Sequence, residues 1–180
     1  MQILAIDIGY HNLAIVVAEC DKTEIKIKFC EKVSLQDYKY IHSNDLVDLI
    51  PLMLDDPKYK SWFDSSEQIL IERQPLDGLL AVQTLIHHIL RDKNPILVSP
   101  NAMHKHFGFE NLDYDQRKER TVKIATPYLE DNEYFQRLER KHDIADAICM
   151  ILFQNYHNSI QLKKKTIAED KLFEEFMYKG

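Results

Sequence analysis

The chain has little glycine, little cysteine, no long apolar run and no excess of positive charge. Four glycines in 180 residues argue against reading Asp7-Ile8-Gly9-Tyr10-His11-Asn12 as the phosphate loop of an actin-like ATPase. That class needs a longer chain and a second glycine-rich segment where backbone can approach a nucleotide closely. The three cysteines, Cys20, Cys30 and Cys149, have no C-x-x-C spacing, and two fall in apolar runs where a free thiol packs as a small core residue. An intracellular, reducing setting is expected. No apolar stretch approaches the roughly 20 residues that a bilayer-spanning helix requires, and the chain opens directly in a strand pattern without a basic leader. No membrane partner is expected. Neither an internal repeat nor a low-complexity linker appears, so the expected organisation is one domain over 1–160, with 161–180 as its C-terminal helical extension.

The formal charge of −6 runs against a nucleic-acid partner, which normally leaves a basic footprint. Its distribution is uneven, however. Arg117, Lys118, Arg120 and Lys123 gather around a single acid, Glu119. Arg137, Arg140 and Lys141 precede a late apolar segment, and Lys163 to Lys165 follow it. The first two clusters suit a phosphate-binding surface, while the third reads as a solvated helical face. The acid excess lies mostly elsewhere, in 37–64 and 169–175.

Four acids stand out from that excess. Asp7 and Glu72 sit at the ends of apolar runs, QILAID and QILIE, that read as buried strands. A carboxylate in such a place is costly unless it is paired or binds a cation. Asp143 and Asp146 lie three apart in KHDIADAICMILF, a helical pattern apolar nearly all round, so both project from one face. Taken singly, each has an ordinary explanation: turn chemistry for Asp7 before Gly9, a favourable helix N-terminus for Asp143 and Asp146. Gathered together they would form a carboxylate cage. Hard cations such as Mg²⁺ or Mn²⁺ choose oxygen ligands, and two ions about 3.5–4 Å apart can bracket the attacking and leaving oxygens of a phosphodiester. The pattern predicts a metal-dependent nuclease.

Hydrophobic periodicity predicts three antiparallel strands over 2–9, 12–20 and 23–33, and a helix over 43–54 capped by Ser43 or Asn44. A loop or short helical turn is expected at 56–66, a strand at 68–73, a helix from Gly78 to about Lys93, and a short buried strand at 95–100 closed by proline. Helices near 101–107, 115–129 and 139–157 complete the pattern. The expected fold class is α/β, a mixed five-stranded sheet of an antiparallel meander plus two parallel strands, flanked by helices. The helix at 79–90 carries more apolar surface than one sheet face can cover, which favours a homodimer.

An Asp on the first strand of a glycine-containing hairpin, a later I-E-x-Q strand and a late D-I-A-D-A helix together resemble the RuvC-like Holliday-junction resolvases of the ribonuclease H superfamily. The likeness is greatest to those of poxviruses and related large DNA viruses and spans roughly 2–157. It implies a ribonuclease H-like fold and metal ligands at Asp7, Glu72, Asp143 and Asp146, with His142 as a candidate further participant. It also implies two Mg²⁺ ions per site, replaceable by Mn²⁺, and an active-site lysine at Lys118 or Lys105, of which Lys118 is favoured. Arg117, Arg120, Lys123, Arg140 and Lys141 are then candidates for DNA contacts. The implied activity is paired, symmetric cleavage of four-way junctions and related branched DNA by a homodimer, leaving 5′ phosphates, as in viral concatemer resolution in the host-cell cytoplasm. A ribonuclease H-like enzyme acting on structured RNA is the alternative. A non-catalytic nucleic-acid scaffold would be expected to lack some of the four acids, and all four are present.

Overall fold

A computed structural model describes residues 1–21, 24–39 and 45–178, with backbone alone from 165 onward. Five strands, β1 (Gln2–Asp7), β2 (Leu13–Cys20), β3 (Ile25–Val33), β4 (Gln68–Glu72) and β5 (Ile96–Val98), form one sheet in the order β3-β2-β1-β4-β5. β1 pairs antiparallel with β2 and β2 with β3, whereas β4 and β5 join in parallel, giving the expected mixed sheet. The short connections between the first three strands allow antiparallel pairing, and the parallel strands are reached through helical crossovers.

Alternation along the central strands sends side chains to two cores. Leu4, Ile6, Ile15, Val17, Ile69 and Ile71 pack under α1 (Leu46–Asp55), α2 (Pro57–Ser65) and α3 (Leu80–Ile89). On the other face, Ile3, Ala5, Ala14, Ala18 and Leu70 meet Ile144, Ala145, Ile148 and Ile151 of α7 (His142–Tyr178), with Ala125 of α5 (Tyr114–Ala125) and Phe135 of α6 (Glu133–Arg137) beside them. The alanines on both partners let α7 lie close against β1 and β2. Gly9 turns the chain between these strands: a Cβ there would stand 2.6 Å from the carbonyl carbon of Asn12.

Several boundaries differ from expectation. Residues 57–65 are a full helix, because Pro57 occupies its first turn and Asp56 caps it by accepting from the Lys58 amide; proline there starts a helix instead of breaking one. The helix expected from Gly78 begins at Leu80 and ends at Ile89, followed by a 3₁₀ turn that Asn94 closes in the left-handed region at φ 48°. Pro100 likewise opens α4 (Pro100–His106) as much as it closes β5. α6 falls within a stretch read as a connection. α7 continues unbroken to Tyr178, about 55 Å of helix at 1.5 Å per residue. The proposed caps Ser43 and Asn44 lie outside the described residues, as does the start of the third strand at 23.

A bulge in β3 decides which way its second half faces. The register of β2 against β3 slips between Val17 and Ala18, so Val17 faces Phe29 while Ala18 faces Ile27. The extra residue reverses which side chains point toward α7. Beyond the bulge Cys30 and Lys32 take that face, although Ile25 and Ile27 hold it before.

Candidate active site

One row across the sheet organises the site. Lys32 pairs with Ala14, Ala14 with Asp7, and Glu72 with Val98; Asp7 and Glu72 follow the paired residues Ile6 and Ile71. Asp7 and Glu72 therefore lie side by side at the carboxyl ends of parallel strands, on the face covered by α7. Asp146, one turn into α7, reaches the same place. Asp7, Glu72 and Asp146 line a small pocket with Val98, Pro100, Met103 and Met150.

Concentrated negative charge sets the electrostatics. Asp7 is only 8% exposed; burial first, then the carboxylates of Glu72 and Asp146, raises its pKa well above the usual range. Glu72 is raised as well, again chiefly by burial, although hydrogen bonds from Asp7 and from the Ile8 amide oppose the shift. Both shifts have the same direction and the same leading cause, burial of carboxyls set close together. Glu72 is fixed from behind: Gln74 Nε2 donates to its Oε2 at 2.5 Å and the Ile8 amide donates to the same oxygen at 3.3 Å. Gln74 is itself anchored, its amide donating to Gln83 Oε1 at 2.7 Å, which accounts for the glutamine two positions after Glu72.

Lys118 of α5 forms an ion pair with Asp146 and lies 5.5 Å from the centre of the Tyr114 ring. Burial works against its charge, but the carboxylates of Asp146 and Asp7 outweigh it and raise its pKa. Lys105, the other candidate lysine, is exposed on α4. Arg117 donates to the Leu112 carbonyl at 2.7 Å. Arg120 and Lys123 are exposed on α5, and Lys141 lies over the Phe135 ring at 5.4 Å.

Asp143 occupies a different environment from the other three acids. It is buried next to the pocket without lining it. Arg140 clasps it with Nε at 2.9 Å from Oδ2 and Nη2 at 3.1 Å from Oδ1, while Lys32 Nζ stands 3.1 Å from Oδ2. His142 Nε2 is 3.4 Å from Asp143 Oδ1 but, buried, makes no hydrogen bond; burial pushes its pKa down, favouring the neutral ring. The structure thus brings together Asp7, Glu72, Asp146 and Lys118, and sets Asp143 with Arg140 and His142 alongside them. Gln74 entered the sequence reading only as the last residue of I-E-x-Q, without a role, and Lys32 and Gln83 had none.

The donors suit a hard cation. Three carboxylates face one pocket with a single ammonium among them, and the neighbouring His142 nitrogen lacks a partner. Among the described residues no three histidine, cysteine or carboxylate groups already stand as a preformed metal cage. Asp146 is instead paired with Lys118, a partner that a bound ion would displace. The thiols offer nothing soft in their place: Cys20 and Cys30 are pushed up to about 11 by burial.

Comparison with known proteins agrees with the fold. The fowlpox virus resolvase in complex with Holliday junction DNA superposes with a TM-score of 0.63 at 18% identity, covering 87% of this chain and 98% of its own. The yeast mitochondrial Holliday junction resolvase Ydc2 gives 0.65 at 16% identity, covering 93% and 85%, and Thermus thermophilus RuvC gives 0.60 at 12%, covering 88% and 98%. No curated protein matches the sequence. The ribonuclease H-like architecture of resolvases is therefore the fold of this chain, as the D-I-G, I-E-R-Q and D-I-A-D-A segments implied. Residues 1–157 match the model of the poxvirus A22 protein family, and the chain belongs to that family.

Proposed function

We propose that the protein is a divalent-metal-dependent endonuclease that resolves four-way DNA junctions and related branched DNA. The observation that carries this is the convergence of Asp7, Glu72 and Asp146 from two adjacent parallel strands and a packed helix, with Lys118 against them. Asp7, Glu72 and Asp146 would hold the metal, two ions being the expected number, with Asp143 and His142 completing the set. A bound Mg²⁺ or Mn²⁺ supplies Lewis acidity toward a phosphoryl oxygen and a more acidic water.

The chain's own residues do the rest. Gln74 and the Ile8 amide orient Glu72 by donating to its Oε2. Lys118, an ammonium paired with Asp146, is placed to meet the scissile phosphate and stabilise charge that grows on it. Met103, Met150, Val98 and Pro100 wall off water on the inner side. Arg117, Arg120 and Lys123 extend a basic edge along α5 for more distant phosphates, with Lys105, Arg140 and Lys141 on neighbouring elements. These are phosphate contacts, which position DNA without reading its sequence, so the selectivity proposed is for junction shape.

Two sites acting together would cut opposite strands of a symmetric junction, leaving 5′ phosphates. A homodimer with two-fold symmetry provides them. Leu76, 91% exposed, with the exposed Leu79 and Ile89 at the two ends of α3, would supply the apolar surface for that interface. The setting proposed is the reducing interior of an infected cell, at sites of viral DNA replication. The test is cleavage of synthetic four-way junction, flap, linear duplex and structured RNA, with Mg²⁺ or with chelator. Chelator-sensitive, symmetric incision of the junction is expected; preference for RNA, or activity in chelator, would overturn the proposal.

A further inference from the structure

Lys32 has the sequence surroundings of a solvated residue, in an edge strand that also carries Lys26 and Lys28. Lysines on edge strands ordinarily reach into water and discourage pairing with other chains. Lys32 does neither. The β3 bulge turns it to the α7 face, in the same cross-sheet row as Asp7 and two strands away. Its side chain is only 15% exposed and its ammonium lies 3.1 Å from Asp143 Oδ2. The strand is fixed at this point, for the Lys32 amide donates to the Tyr134 hydroxyl at 3.0 Å.

The consequence is a division among the four acids. Asp7, Glu72 and Asp146 line the pocket, whereas Asp143, one helical turn before Asp146, is drawn to the side by Lys32 and Arg140. Arg140 is 49% exposed and sits on the connection before α7. Arg140 supplies the hydrogen bonds to both oxygens of Asp143 from that half-exposed position, while Lys32 is the enclosed partner and ties Asp143 to the sheet.

We propose that Lys32 is a positioning residue of the candidate active site: its ammonium holds Asp143 beside the pocket when no divalent ion is bound and competes with the ion for that carboxylate. The proposal rests on the reading of the pocket as a metal site. Without an ion, Lys32 adds to Arg140 a second, enclosed positive charge on Asp143 in a small region that holds four carboxyls. When an ion binds, the pair must open for Asp143 to join the ligands.

A purely structural ion pair and a competing one predict different signs. Lys32→Met keeps the stem and removes the charge. Mn²⁺ titration of the full chain, followed by loss of the free-ion electron paramagnetic resonance signal, should show the variant binding Mn²⁺ more tightly. The expected gain is roughly tenfold, equal in size to the smaller losses that follow removal of a supporting outer-shell partner and opposite in sign because Lys32 competes with the ion. Its metal-free melting temperature should fall at the same time. Lys32→Arg, retaining the charge, should remain near wild type in both. Lys32→Gln supplies the same affinity measurement if Lys32→Met does not fold. Affinity equal to or weaker than wild type, or no Mn²⁺ binding by either protein, overturns the proposal. The titration uses no DNA, so the two readings separate. Junction cleavage by wild type without an affinity gain in the variant would remove the role of Lys32 alone. A gain without any junction cleavage would leave that role standing and remove the nuclease.

Discussion

Replacing Asp7 with asparagine should stabilise the metal-free protein, which is the opposite of what a buried hydrogen-bonded side chain normally does. Asp7 is buried against Glu72 and Asp146, with Lys118 already engaged by Asp146. Its folded pKa is raised, by burial and then by those two carboxylates. A carboxyl raised in the folded state binds its proton more tightly there than in the unfolded chain. Its contribution is fully present below the ordinary value of 3.8 and is lost as pH rises through the raised folded value. At pH 7.5 in chelator, wild type therefore either holds a proton against the solvent or leaves a buried charge unpaired. The amide of Asp7→Asn would offer Glu72 a permanent neutral donor of nearly the same shape. The relief is about 1–3 kcal/mol, the usual penalty for a buried polar group without its partner, or roughly 3–10 °C in melting temperature for a chain of this size. Calorimetry or fluorescence melting in chelator from pH 5 to 8 measures it, and the gap should widen as pH rises. Added Mg²⁺ or Mn²⁺ should reverse the order by stabilising wild type and not the variant, by about 2.7 kcal/mol at a hundredfold excess over the dissociation constant. A variant that melts at or below wild type at pH 7.5 without metal would refute the account of the pocket as stored negative charge.

Asp143→Asn should move stability the other way, lowering it by roughly 1–3 kcal/mol because Lys32 and Arg140 lose their partner, less than for a wholly buried pair since Arg140 is half exposed; melting in chelator checks it. Asp7→Asn, Glu72→Gln, Asp143→Asn and Asp146→Asn should each abolish most junction cleavage while a gel-shift assay shows binding retained, and wild-type turnover by any one removes it from the set. Lys118→Ala should slow single-turnover cleavage at saturating enzyme, whereas Arg120→Ala should chiefly weaken binding and flatten its dependence on salt. Light scattering at micromolar concentration should report a dimer, and Leu76→Asp with Ile89→Asp should shift it to monomer without lowering the melting temperature of the subunit core. Gly9→Ala should destabilise by roughly 1–3 kcal/mol, because its methyl group meets rigid backbone at Asn12.

The sheet was readable because its central strands are simple: apolar runs ending in Asp7 and Glu72, which pair in parallel as β1 and β4. The longer helices followed their apolar stripes. Proline misled at Pro57, where a residue that breaks helix interiors serves as a first-turn residue once Asp56 supplies the cap. A helix at 139–157 and a helical extension over 161–180 were expected separately, and only their continuity as α7 was not, since the later part lacks the apolar surround of 143–152 that marks the start.

The site divides along the same line. Asp7, Glu72 and Asp146 are positioned by local pattern, an acid ending a buried strand or one turn into a buried helix, and local pattern is what a sequence displays. The separate placement of Asp143 depends on Lys32, and Lys32 depends on a register slip between Val17 and Ala18 that no local feature announces. Read by alternation alone, Ile25, Ile27 and Phe29 face inward, and Lys26, Lys28 and Lys32 all face water. One extra residue reverses that parity beyond the bulge, sending Phe29 to the opposite core and Lys32 beneath α7. A side chain's face in a sheet is set by pairing with strands distant in sequence, so a single bulge can convert a surface lysine into the counter-charge of an acidic site.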